Sequence, residues 1–282
     1  MRYFHVDVFC KGAFTGNGLT VMILEEFLTR EKMQIIAKEF KQFETIFLVR
    51  LGEKDFQARI FTVEEELDFA GHPILGAAAV IHQAYFMEDK KIEISFRLNK
   101  KVVQVESKKE EGGFKCFMNQ GKVEFMKRID ENCYMELIEP LNLGQENLSK
   151  EFPLEVVSTG LPYLLVPVVS GLEKAKIKTE DYEQVLANIG ATFVYIFDVN
   201  EIEGRTWDSR GLVEDVATGS AAGPVGAYLY KYKVFLESEV ILLRQGRFLE
   251  RDSEIVINKK KQTDEMIVSG QVCIVAEGKM KI

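Results

Sequence analysis

Glu66-Leu67-Asp68-Phe69-Ala70-Gly71-His72-Pro73-Ile74-Leu75-Gly76-Ala77-Ala78 decides how this chain folds. From residue 72 to residue 85 the side chains are small and apolar nearly all round, with no polar stripe. A helix of that composition is buried on every side rather than laid on a surface. Pro73 suits its first turn, where the missing N–H costs nothing. A second stretch has the same character: Gly211-Leu212-Val213-Glu214-Asp215-Val216-Ala217-Thr218-Gly219-Ser220-Ala221-Ala222-Gly223 runs into another small-residue helix over residues 221–230.

The flanking sequence repeats in the same order. Residues 3–9 and 19–24 have strand composition, with Gly12, Gly16 and Gly18 supplying a turn. Thr29 reads as the N-cap of a helix that carries Met33, Ile36, Ala37 and Phe40 at helical spacing. Short strands follow at 47–49 and 58–61, and the region 91–128 alternates short strands with charged turns. In the second half, Gly160 precedes an apolar strand over 163–169. A helix is predicted over 179–189 and a strand over 193–199. Gly160 and Gly219 stand almost as far apart as Gly16 and Gly71, and Arg205 precedes Gly219 much as Arg59 precedes Gly71. Landmarks repeated in one order point to two homologous domains, expected at 1–122 and 123–282, with a last strand near 272–282 free to return to the first. Helices this apolar need cover on all sides, which a curled sheet provides. The expected class is therefore α+β, two similar domains each with a sheet wrapped around a central helix, and a ligand cleft between them.

Composition narrows the function. The 282 residues are 46% apolar and 28% charged, enough for a full core without a disulfide or metal staple. The net charge of −8 argues against a nucleic-acid or anionic-membrane binder, either of which needs a basic face. The four cysteines form no CxxC pair and only three histidines could join them, so no zinc site is expected. Scattered cysteines, a strand-like start and no membrane-length apolar run lead to the expectation of a cytoplasmic protein.

Each small-residue helix opens on a glycine and a polar residue, Gly71-His72 and Gly219-Ser220. Helix starts carry N–H groups without intrahelical partners and a partial positive charge, so they hold anions. The pattern E-x-x-F-A-G-H-P at 66–73, with E-D-x-A-T-G-S-A-A at 214–222, resembles the phenazine-biosynthesis PhzF-like family. So do Phe14-Thr15-Gly16-Asn17, Glu44-Thr45-Ile46-Phe47, Gln245-Gly246, Arg251 and Ser253. The sequence departs from the family pattern at Gly18, Val63 and Val216, where prolines are usual, and at Trp207, where phenylalanine is common; no polar group of the pattern is lost.

The resemblance implies a diaminopimelate-epimerase-like fold, a homodimer, and isomerase chemistry on a small acidic substrate with no metal or organic cofactor. In the phenazine pathway that substrate is a dihydro-hydroxyanthranilate. The resemblance also implies that Glu44 moves a proton, that His72, Asp215 and Ser220 are supporting polar residues, and that the backbone N–H groups at Gly71 and Gly219 hold the substrate. Taken by themselves these residues keep simpler readings. Glu44 is either solvated at a strand start or partly buried with a raised pKa, as suits a proton carrier. His72 is equally at home as a plain first-turn histidine, Asp215 as a loop acid and Ser220 as a helix cap. Without cysteines at the two helix starts, a symmetrical two-thiol racemase is not expected. A non-catalytic small-molecule binder on the same fold is the rival reading.

Overall fold

The computed structural model describes residues 1–208 and 210–281; Ser209 and Ile282, the end of the expected last strand, lie outside the described residues. The chain divides into two compact units. The first comprises Met1–Asn119, Glu250–Glu254 and the chain from Ser269 onward; the second comprises Gln120–Leu249 and Ile255–Val268. Among the described residues no helix is long and apolar enough to cross a membrane.

The first unit begins with β1 (Arg2–Val8), β2 (Asn17–Leu24), α1 (Arg30–Phe40), β3 (Glu44–Arg50), β4 (Asp55–Phe61) and β5 (Glu66–Leu67). It continues through α2 (Gly71–Tyr85), β6 (Lys91–Arg97), β7 (Val102–Glu110) and β8 (Gly113–Lys122). Thr29 caps α1 as its sequence predicts, its hydroxyl accepting from the Lys32 N–H. The ladder runs β1–β2 antiparallel, β2–β3 parallel, β3–β4 antiparallel and β4–β6 parallel. Residues 71–82 of α2 are all buried, and the helix packs on β1, β2, β3, β6 and β7. Gly76 makes that approach possible, because a Cβ there would strike Leu19, Val8 and Val6. The other face of the sheet takes α1, with Met33, Ile36 and Ala37 against Met22, Phe47 and Phe61.

The second unit holds β9 (Glu124–Arg128), α3 (Tyr134–Ile138), β10 (Glu155–Ser158), β11 (Pro162–Val168) and α4 (Tyr182–Asn188). Then come β12 (Phe193–Asp198), β13 (Glu203–Arg205), α5 (Gly219–Lys231), β14 (Ile241–Gln245) and two strands shared with the first unit: β15 (Ser253–Lys259), which belongs here from Ile255, and β16 (Glu265–Lys279), which belongs here up to Val268. Its ladder repeats the alternation of the first: β10–β11 antiparallel, β11–β12 parallel, β12–β13 antiparallel, β13–β14 parallel. The helices fall at matching places, α1 and α4 inside the first parallel crossover, α2 and α5 inside the second. α5 packs on β10 and β11, and Gly226 lies against Ile257 and Met266. Helix α4 is shorter than predicted, opening at Tyr182 instead of residue 179. The Lys176 and Lys178 N–H groups donate to the carbonyls of Leu141 and Pro140, which holds the preceding chain extended.

In the first unit β16 closes the sheet. It pairs antiparallel with β1 and also borders β8, where Gly113 lies against the Val272 carbonyl. The strands β16-β1-β2-β3-β4-β6-β7-β8 thus form a ring around α2, the wrapped sheet that an all-apolar helix requires.

Candidate active site

Glu44 opens β3 opposite Leu19 of β2. Leu19 faces Gly76 of α2, so the alternation of the strand turns Glu44 inward toward the same helix. It is 5% exposed, which rules out the solvated reading. His72, the second residue of α2, is 4% exposed and brings Nε2 to 3.1 Å from Glu44 Oε2. Asn17, the first residue of β2, places its amide Nδ2 3.4 Å from His72 Nδ1. An Asn17 amide donating to Nδ1 leaves the ring proton on Nε2, the nitrogen nearer the carboxyl group, although the two are not aligned as a hydrogen bond. Burial pushes His72 down to about 3, so the imidazole is neutral at physiological pH. The pair is therefore a neutral imidazole beside a carboxyl group, rather than an ion pair. Gly71 opens the helix beside them, and Ala70 at the N-cap has no side chain to occupy the first N–H groups.

The loop before Asn17 is held by a second set of contacts. Asp7 is buried and accepts from the Phe14 N–H at 2.6 Å and from Arg251 at 2.7 Å. Arg251 also donates to the Gly16 carbonyl at 2.7 Å. Gly16 has φ 74° and abuts the Cys10 backbone, so a side chain there would be both strained and obstructed.

In the second unit, Asp215, Gly219 and Ser220 come together at the start of α5. Thr218 donates to Asp215 at 2.5 Å. Gln245 binds the whole turn: its amide donates to the Asp215 carbonyl at 2.7 Å and to Thr218 Oγ1 at 3.0 Å. Its oxygen accepts from the Thr218 N–H at 3.1 Å and from the Tyr195 hydroxyl at 2.9 Å. Burial, reinforced by Asp215, pushes Tyr195 well above the usual phenol range. Ser220 does not cap α5. It is the second helical residue, and its hydroxyl lies 2.7 Å from that of Tyr163, which stacks on Phe193.

Each helix start is braced by the same device. Arg59 grips Glu66 through two hydrogen bonds of 2.7 and 2.6 Å, and Arg205 grips Glu214 through two of 2.8 and 2.6 Å. The guanidinium of Arg59 holds the Glu66 carboxyl below its usual range. Sequence reasoning missed Tyr163 and Tyr195 as parts of the second cluster, and Asp7 as the anchor of the Asn17 loop; Thr218 stood only within the family pattern. Asn17, Gln245 and Arg251 were visible only within the family pattern. A pocket of about 270 Å³ opens elsewhere on the second unit, beside Tyr230, Lys231 and Lys259, and none of the expected site residues lines it.

Known proteins agree with this architecture. The family model described as phenazine biosynthesis-like protein matches residues 6–278. A solved structure titled as a predicted epimerase from Pseudomonas aeruginosa is 43% identical with a TM-score of 0.93, covering 99% of this chain and 98% of that one. The trans-2,3-dihydro-3-hydroxyanthranilate isomerase of the same species is 28% identical over 99% of this chain and 98% of its own. A hydroxyproline epimerase from Agrobacterium vitis, 11% identical with a TM-score of 0.67 over 99% of this chain and 91% of that one, shares the fold alone. Fold and family define an isomerase-type enzyme on a diaminopimelate-epimerase-like scaffold. The chain belongs to the phenazine biosynthesis-like (PhzF) family.

Proposed function

We propose that the protein catalyses a cofactor-independent proton transfer on a small acidic metabolite, cyclic or amino-acid-like, with Glu44 as general acid and base. The observation that carries this reading is the buried Glu44 carboxyl group 3.1 Å from the neutral His72 imidazole, beside a helix start without a capping side chain. Glu44 takes a proton from a carbon next to a carbonyl or double bond and returns it to another carbon. The His72 ring lies against the carboxyl group and limits where it can turn. The N–H groups at Gly71 and Gly219 meet the negative charge that develops on the substrate. Asp215 and Ser220, each already held by a hydroxyl neighbour, position its polar substituents.

A single carboxylate is favoured by the second unit itself. Glu44 belongs to the first register pair of the β2–β3 parallel ladder, Leu19↔Glu44; the matching pair of β11–β12 is Tyr163↔Phe193. The position that carries the acid in one half carries a phenylalanine in the other, which supports one shuttling group over two opposed bases.

The reading extends to a cytoplasmic homodimer, each protomer built of two similar domains, without a nucleic-acid partner; sedimentation checks the dimer. Catalysis is tested in D₂O with trans-2,3-dihydro-3-hydroxyanthranilate and cyclic amino acids as probes, followed by mass spectrometry. Deuterium entering a probe at carbon, and lost in Glu44→Gln, is the expected result. Binding of a probe without exchange favours the non-catalytic binder, and full exchange by Glu44→Gln removes Glu44 from the mechanism.

A further inference from the structure

Apart from the proposed site, two thiols of the first unit stand close enough to react with each other. Asp7 pairs with Cys273 and Val8 with Val272 across the antiparallel β1–β16 ladder, and the Cys10 N–H donates to the Gln271 carbonyl at 3.2 Å. Cys10 is thereby laid against β16, and its S–H donates to Cys273 Sγ at 3.1 Å. The two residues are 3% and 6% exposed.

We propose that Cys10 and Cys273 form an oxidisable dithiol site, converted by small hydroperoxides into a reversible intrachain disulfide. The Cys273 thiolate attacks one oxygen of hydrogen peroxide; the O–O bond breaks, and hydroxide leaves and is protonated to water. The Cys10 sulfur then attacks the resulting sulfenic acid. An S–S bond forms, the S–O bond breaks, and the Cys10 proton leaves with the hydroxyl as a second water. Two thiols lose two electrons and one peroxide becomes two waters. The hydrogen bond from Cys10 lowers Cys273 from the usual thiol range, while that same bond and burial raise Cys10. Cys273 is accordingly the first nucleophile and Cys10 the resolving thiol. The slight exposure of both suits an oxidant as small as peroxide. The other cysteines lack this arrangement: Cys116 lies beside Ser107 and is pushed up to about 12 by burial, and Cys133 is exposed. The bond would tie β16 to the second residue of the loop, residues 9–16, that precedes Asn17.

The experiment uses the full chain as Cys133→Ser, which leaves three of the four cysteines. Thiols are titrated under denaturing conditions before peroxide, after it, and after dithiothreitol. The expected counts are three, one and three, with a peptide pair joining Cys10 to Cys273 and two hydrogens lighter. Adding Cys10→Ser abolishes the reversible loss. Three thiols persisting in peroxide, oxygen added to single cysteines without a joined peptide, or the same loss in the Cys10→Ser chain would each overturn the proposal. Should Cys10→Ser fail to fold, the joined peptide in the parent chain decides.

Discussion

The starts of α2 and α5 share a scaffold and differ in chemistry. Both follow the same alternation of antiparallel and parallel pairings, open on a glycine, and are braced by an Arg–Glu fork. At the first, a buried carboxyl faces a neutral imidazole; at the second, hydroxyl and amide groups engage one another around Asp215 and Ser220. Two halves built on one pattern thus carry different side chains at the same helix start, an acid and an imidazole in one, hydroxyls and an amide in the other. On the proposed reading, proton movement falls to the first unit and substrate positioning to the second.

The largest test of that division is Glu44→Gln, expected to lower deuterium exchange by about 10²–10⁴-fold, the usual reach of a positioned acid–base group. Removing Ser220 should cost far less. The braces separate the units next. Arg205 and Glu214 are almost completely buried, and Arg205 also donates to the Leu172 and Glu173 carbonyls. Arg205→Met should lower unfolding stability by about 3 kcal/mol, because it leaves a buried carboxylate without its partner. Arg59 is more exposed, so Arg59→Met should cost less in the same denaturant titration.

Acid provides a third contrast. His72 is held neutral in the folded chain down to about pH 3, but takes a proton near pH 6.5 when unfolded. The unfolded state therefore binds more protons through this window, and stability falls as pH drops from 6.5. This group's share is about 1.4 kcal/mol per pH unit. Glu66, whose folded pKa is depressed, adds its loss only below about pH 4.5, the range in which a carboxylate titrates unfolded. His72→Gln should remove this group's share of the slope from about pH 6.5 down to about pH 3, leaving the loss below about pH 4.5 that Glu66 contributes. Because α5 carries serine at the matching place, Ser220→Ala should leave the slope unchanged. The smallest effect is expected from Tyr163→Phe. Losing its contact with Ser220 should cost about 1 kcal/mol in stability and lower exchange by less than about tenfold.

Much of this was legible in the sequence because apolar, small-residue helices admit few environments. Residues 72–82 are enclosed as that composition requires, although the last turn emerges and Tyr85 is 40% exposed; the repeated glycines and arginines announced the duplication. The burial of Glu44 was not legible. One residue's shift at the strand start would turn it to the opposite face, and only the register against Leu19 settles the direction. The partners of Asp215 and Ser220 were hidden for another reason. Gln245 and Tyr163 lie far away in sequence, and neighbouring strands bring them to the helix start. The late start of α4 depended on hydrogen bonds to Leu141 and Pro140, which local propensity does not encode.

The ring around α2 is sealed by a strand from the far end of the chain, and Met1 and Met280 exchange backbone hydrogen bonds of 2.9 and 3.0 Å where it joins. During synthesis β1 must therefore wait, with one border open, until residues 269–279 emerge, by which time Gln120–Leu249 has already left the ribosome. The half of the protein made first is the last to be completed.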